Sequence, residues 1–247
     1  MTQTPILENL LRLQERIAHA AARGGRSPDE ITLVGVSKTQ PASAIREAYE
    51  AGVRHFGENR VQEWEGKLAG TDGLGATWHL IGHLQSNKAV RAAKLFHSVD
   101  SVDDFALAQK LDRARAESGV STKLRVLVEV RVAREETKSG VEVAVLPELA
   151  EKIAPLPHLE LAGLMCIPPF FGPVGAGSNP SQSGAASPAD AVRPYFRRLR
   201  DLRDELGAKL GLRLAVLSMG MSHDFDVAIE EGATEVRVGT ALFGPRP

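Results

Sequence analysis

Residues 212–239 read LRLAVLSMGMSHDFDVAIEEGATEVRVG. The apolar, β-branched run LRLAVLS has the character of a strand, and DFDVAIEEG has the periodicity and terminal glycine of a short helix. TEVRVG is a second strand-like run, so the segment predicts a β-α-β unit. Between the first strand and the helix lies LSMGMSHD (217–224), small hydroxyls around a glycine. Two readings of it are open: a tight turn into the helix, or an anion site where exposed N–H groups and serine hydroxyls hold a phosphate.

The same alternation runs along the chain. Strand-like runs occur at ITLVGVS (31–37), VRHFGE (53–58), TWHLIG (77–82), LFHSVDS (95–101), KLRVLVEVRV (123–132) and LELAGLMCI (159–167). Helix-compatible segments separate them, among them PASAIREAYEAG, VDDFALAQKLDRARAESG and AVRPYFRRLRDLRDELGAKLG, the last two closing at glycine. Eight such units in 247 residues predict an α/β fold, a single (β/α)8 TIM barrel over residues 1–247 with an N-terminal helix. An open, doubly wound sheet is the alternative. One segment breaks the pattern: GPVGAGSNPSQSGAASPAD (172–190) carries almost no apolar residues and is expected to be a flexible loop insertion.

Bulk composition excludes several classes. A formal charge of -1, with basic and acidic residues interleaved, gives no footprint for nucleic acid. The single cysteine, Cys166, rules out an intramolecular disulfide and fits a reducing, cytoplasmic setting. The amphipathic segment PILENLLRLQERIAHAAARGG lacks the continuous apolar core of a signal peptide. No run reaches the roughly 18 apolar residues of a membrane span.

In a parallel barrel the chemistry collects at the C-terminal ends of the strands. Those ends carry Lys38; Glu58 and Asn59; His83, Gln85, Ser86 and Asn87; Asp100 and Ser101; Lys138, Ser139 and Gly140; and Met165 through Pro168. The loops after the seventh and eighth strands, a frequent phosphate cradle of this fold, offer Ser218, Gly220, Ser222, Gly239 and Thr240. Lys38, at the mouth, is either a snorkelling strand-end lysine or an amine nucleophile. Opposite a phosphate cradle it suggests a Schiff-base aldolase or a pyridoxal 5'-phosphate (PLP) protein. The period of two turns Glu235 and Arg237 into the barrel. Arg237 then needs a partner, either a strand carboxylate such as Glu129 or a cofactor ring nitrogen, where it would leave the ring a weak electron sink. His79 and His83 share a strand face, but no ligand set completes a metal site. His83 is expected to line the pocket, His79 to be a core histidine, and Cys166 to pack.

Taken together, VGVSKTQP, HFGENRVQE, WHLIGHLQSNK, SVDS, TKSG, GLMCIPP and SMGMSHDFDVAIEEGATEVRVGTALFG resemble the pyridoxal phosphate homeostasis proteins, relatives of the alanine racemase N-terminal barrel. The resemblance runs in order over nearly the whole chain. It implies the fold-type-III barrel of PLP proteins, with PLP as a Schiff base on Lys38 and its phosphate held by Ser218, Gly239 and Thr240. It further implies Arg237 at the ring nitrogen and Asn59, His83, Met165, Met219 and Met221 around the cofactor, with Gly220 in the same loop. Departures lie at Arg60, where the family often has Tyr, in RVAREETKSG, and in the 172–190 insertion.

The resemblance favours a PLP carrier that buffers or delivers the cofactor without catalysis of its own, with PLP-dependent apoenzymes as candidate recipients. A PLP-dependent amino-acid racemase is the alternative. Racemases of this fold use a tyrosine from the partner subunit, whereas the tyrosines here, Tyr49 and Tyr195, fall in helix-like segments. The chain runs nine residues beyond Val238, without a racemase-type second domain, and a monomer is expected.

Overall fold

The computed structural model describes residues 4–133, 139–169 and 190–245. Lys138 and residues 172–189 of the expected insertion lie outside the described residues.

The strand-like runs form β1 (Thr32–Val36), β2 (His55–Glu58), β3 (Thr77–Leu80), β4 (Ser98–Val102) and β5 (Leu124–Arg131). A two-residue strand, β6 (Val141–Glu142), follows. The last three are β7 (Leu159–Met165), β8 (Val216–Ser218) and β9 (Glu235–Val238). Every pairing is parallel, in the order β4-β3-β2-β1-β9-β8-β7-β5, and a β4–β5 pairing closes the circle. The barrel is therefore closed, as expected, rather than an open sheet. β6 only extends the end of β5.

Helical connections cover the outside. They are α1 (Pro5–Arg23), α2 (Ala42–Ala51), α3 (Val61–Glu65), α4 (Leu68–Thr71) and α5 (Ala89–Leu95). After them come α6 (Phe105–Ala116), α7 (Leu146–Ile153), α8 (Arg193–Leu210), α9 (Phe225–Glu230) and α10 (Thr240–Phe243). Local chemistry sets their ends: the Asp104 carboxylate accepts from Leu107 N–H at 2.7 Å to start α6. Gly211 takes the left-handed conformation that ends α8. Because α10 is a single turn, the apolar stripe of α1 (Leu10, Leu13, Ile17, Ala20) packs against α9, α10 and α2 in the place of a full final helix.

β8 is shorter than LRLAVLS suggests. Leu212 N–H still bonds to Gly207 O at 3.1 Å as the chain leaves α8, and Leu217 N–H goes to the Thr234 hydroxyl at 2.9 Å instead of a strand carbonyl. β8 therefore meets β9 in register only at Ser218 and Glu235.

Two layers of packing position the mouth. Outside β2 and β3, Trp64 and Trp78 stack at 3.7 Å and are flanked by Phe56 and Phe96, contacts worth about 0.5–1.5 kcal/mol per pair beyond area burial. Inside, near the N-terminal ends of the strands, a polar plug crosses the barrel. Arg125 Nη2 donates to Glu235 Oε2 at 2.9 Å and lies 3.1 Å from His79 Nδ1, which is 3.0 Å from Asp100 Oδ2. Burial raises the Asp100 carboxyl, but His79, Arg125 and Ser98 outweigh it and hold the group below the usual carboxylate range. His79 is thus a buried structural histidine. Its ring, Asp100 and Glu235 are close enough together to bind a cation, and the Arg125 guanidinium already serves them as one.

Candidate functional site

The C-terminal strand ends surround a cavity of about 400 Å³. Lys38 reaches it by strand parity. Val34 lies in register with Arg237, so both face the interior, and the period of two carries that face through Val36 to Lys38. Lys38 is half-buried. Thr39, next in the chain, has φ 63°, a left-handed conformation uncommon for a β-branched residue.

Across the cavity lie Met221, Ser222, Gly239 and Thr240. The loop that brings them there depends on Gly220, at φ 95°, where a Cβ would fall 2.6 Å from Ala228 Cβ and 2.9 Å from Phe225 Cα. Its far side is tied by Asp224, whose Oδ1 accepts from Met221 N–H at 2.6 Å. Ala241 N–H points to Ser222 Oγ at 3.5 Å, joining this loop to the start of α10. Asn59 and His83 complete a third side and also line an adjoining cavity of about 610 Å³. A Cβ at Gly82 would sit 2.4 Å from Asn59 O, so the exit of β3 presses Asn59 into place.

Arg237 forms the floor. Its Nη1 donates to Ser218 Oγ at 2.8 Å and its Nη2 to Cys166 O at 2.9 Å. The ion pair with Glu129 weighed from sequence does not form; Glu129 accepts instead from Ser139 Oγ at 3.0 Å. The reason is geometric: β8 neighbours β9 and the β7 end follows next, whereas β5 is one strand further around the barrel. Burial, reinforced by Asp103, pushes the Glu129 carboxyl above the usual carboxylate range. Burial also pushes the Cys166 thiol up to about 12, which leaves it an inert packing group.

Of the residues expected at the site, Lys38, Asn59, His83, Met221, Arg237, Gly239 and Thr240 line the cavity. Ser218, Met165, Met219 and Gly220 stand behind the lining: Ser218 beneath Arg237, Met165 against Leu127 and Ala162, and Met219 in the main core. Ile167, from the strand end at 165–168, also faces the cavity, as does Glu129, which the sequence suggested only as a partner for Arg237. A signal for Glu129 existed, a lone carboxylate inside the apolar run KLRVLVEVRV.

A closed parallel barrel with an amine, an arginine and a hydroxyl-bearing loop at its mouth is the alanine racemase N-terminal type of fold, and the family model described as "Alanine racemase, N-terminal domain" matches residues 9–247. Among curated proteins, the "Pyridoxal phosphate homeostasis protein" of Pseudomonas aeruginosa is 46% identical, covering 98% of this chain and 96% of its own. The protein of that name from Aquifex aeolicus is 45% identical, covering 97% of both. A solved structure of PipY from Synechococcus elongatus with PLP bound superposes with a TM-score of 0.79 at 39% identity, over 97% of this chain and all of that one. The chain belongs to the pyridoxal phosphate homeostasis protein family.

Proposed function

We propose that this chain binds PLP in the barrel mouth and serves PLP homeostasis in the cytoplasm, buffering the cofactor or delivering it to PLP-dependent apoenzymes. The carrying observation is one cavity that sets Lys38 on one side, Ser222, Gly239 and Thr240 on another, and Arg237 on its floor. That donor set matches an aldehyde, a phosphate and a ring nitrogen. PLP supplies an electrophilic aldehyde, and Lys38 Nζ is the amine placed to hold it as a Schiff base. Thr240 and Ser222 offer hydroxyl donors to the phosphate, and Ser218 holds Arg237 from behind. Arg237 spends two N–H bonds on Ser218 and Cys166, and the rest of its fork remains for the ring nitrogen. The PLP-bound PipY structure and the names of the relatives support the same reading.

The role is that of a carrier and not an enzyme, acting as a monomer. Tyr49 and Tyr195 lie in α2 and α8, away from the cavity lining. Among the described residues no helix is long and apolar enough to cross a membrane.

Adding PLP to the purified protein should produce a Schiff-base absorption band, and borohydride reduction with peptide mapping should place the label on Lys38. Persistent absence of the band overturns cofactor binding. A label on Lys138 overturns the assignment of Lys38.

A further inference from the structure

Behind Lys38, on the outer face of the strand ends, lies a buried ammonium with no contact to the mouth. Lys67, between α3 and α4, donates from Nζ to Ser37 O at 2.8 Å, to Glu58 Oε1 at 2.9 Å and to Glu63 Oε1 at 2.8 Å. Its side chain is 11% exposed and that of Glu58 is fully buried. Three acceptors match the three protons of an ammonium. The same carboxylates grip the chain on both sides of Lys38. Glu58 Oε1 accepts from Ser37 Oγ at 2.7 Å, and Glu63 Oε1 accepts from Thr39 N–H.

We infer that Lys67, through Glu58 and Glu63, is a positioning residue for Lys38, acting through the backbone of Ser37 and Thr39. The inference rests on Lys38 as the PLP attachment point. Lys67, Glu58 and Glu63 are absent from the cavity lining, so any effect on the mouth passes through the main chain. Thr39 is the only non-glycine residue with positive φ among those described, at 63°. A left-handed backbone persists where surrounding contacts over-determine it. Here the contact is the Glu63 carboxylate on Thr39 N–H, itself fixed by Lys67. The turn after β1 is thereby held in the one conformation that leaves Lys38 continuing the inward face of Val34 and Val36.

The test uses the full chain and two readouts. In PLP-free protein, brief acetic anhydride labelling followed by mass spectrometry gives the reactivity of Lys38 relative to the exposed Lys110 of α6. Absorbance titration then gives PLP affinity. Lys67→Met and Glu63→Ala are expected to change the Lys38 labelling ratio and to weaken PLP binding by about tenfold or more, the scale of misplacing a reacting group. Glu63→Gln keeps an acceptor for Thr39 N–H and should stay near wild type. Should Lys67→Met fail to fold, the Glu63 pair carries the test, because Glu63 is at the rim of the cluster. A folded Glu63→Ala protein with wild-type labelling and affinity overturns the inference. If the wild-type protein forms no adduct at Lys38, the proposed function fails instead, and the labelling ratio still decides whether the clamp acts on Lys38.

Discussion

Arg237 Nη1 donates to Ser218 Oγ at 2.8 Å, and both groups are buried under the cavity at the barrel mouth. This bond makes two hydroxyls of the expected cradle different in kind. Thr240 faces the cavity, whereas Ser218 supports the arginine beneath it. Thr240→Ala should weaken PLP retention by the roughly 1.5–3 kcal/mol of a charge-assisted hydrogen bond and leave the absorption maximum in place. Ser218→Ala should weaken binding and also move the maximum, because Arg237 loses its anchor. Parallel PLP titrations followed by absorbance separate the two; an unchanged maximum for Ser218→Ala would show that Arg237 does not depend on it.

Lys38→Ala should abolish the covalent band and retain measurable PLP affinity, since the hydroxyl-bearing loop and Arg237 remain. Equilibrium dialysis with radiolabelled PLP checks the residual affinity, and its complete loss would mean that the amine alone holds the cofactor.

Gly220→Ala forces a Cβ into Ala228 and Phe225 at a backbone angle that L-residues rarely adopt. The two effects together should cost about 2–4 kcal/mol. Urea denaturation is the measurement, and a loss near zero would mean that the 219–222 loop relaxes without the close approach to α9.

His55 gives the barrel plug a pH dependence. Burial first, then the neighbouring His79 and Arg125, lowers its pKa from 6.5 to about 4. The unfolded chain therefore binds the proton at higher pH than the native one, so the associated stability is full above 6.5 and is lost as pH falls toward 4. The melting temperature should drop between pH 7 and pH 4.5, and His55→Asn should flatten that slope. An unchanged slope would assign the acid sensitivity to other groups.

Racemisation requires bases on both faces of a bound amino acid. With no tyrosine lining the mouth and Arg237 on its floor, α-deuterium exchange of L-amino acids by the PLP-loaded protein in heavy water should be far below about 1 per second. Rapid exchange with inversion, lost in Lys38→Ala, would make the protein an enzyme, with His83 as the second base.

Strand parity and β-α alternation led, from sequence alone, to the barrel over an open sheet, to Lys38 at its mouth, to Arg237 facing its interior, and to the loops after β8 and β9 at the same end. These follow from periods of two and 3.6, which act over a few residues and are written into the local order of apolar side chains. Partners are another matter. Arg125 meets Glu235 across 110 residues of chain, Lys67 reaches back 30 residues to Ser37 O, and Arg237 chose Ser218 and Cys166 over Glu129. So too with depth: of the residues expected around the cofactor, Met165 packs with Leu127 and Ala162 and Met219 lies in the main core, both behind the cavity lining. Barrel closure decides which strand ends lie side by side and how deep each residue sits, and no local pattern carries that information.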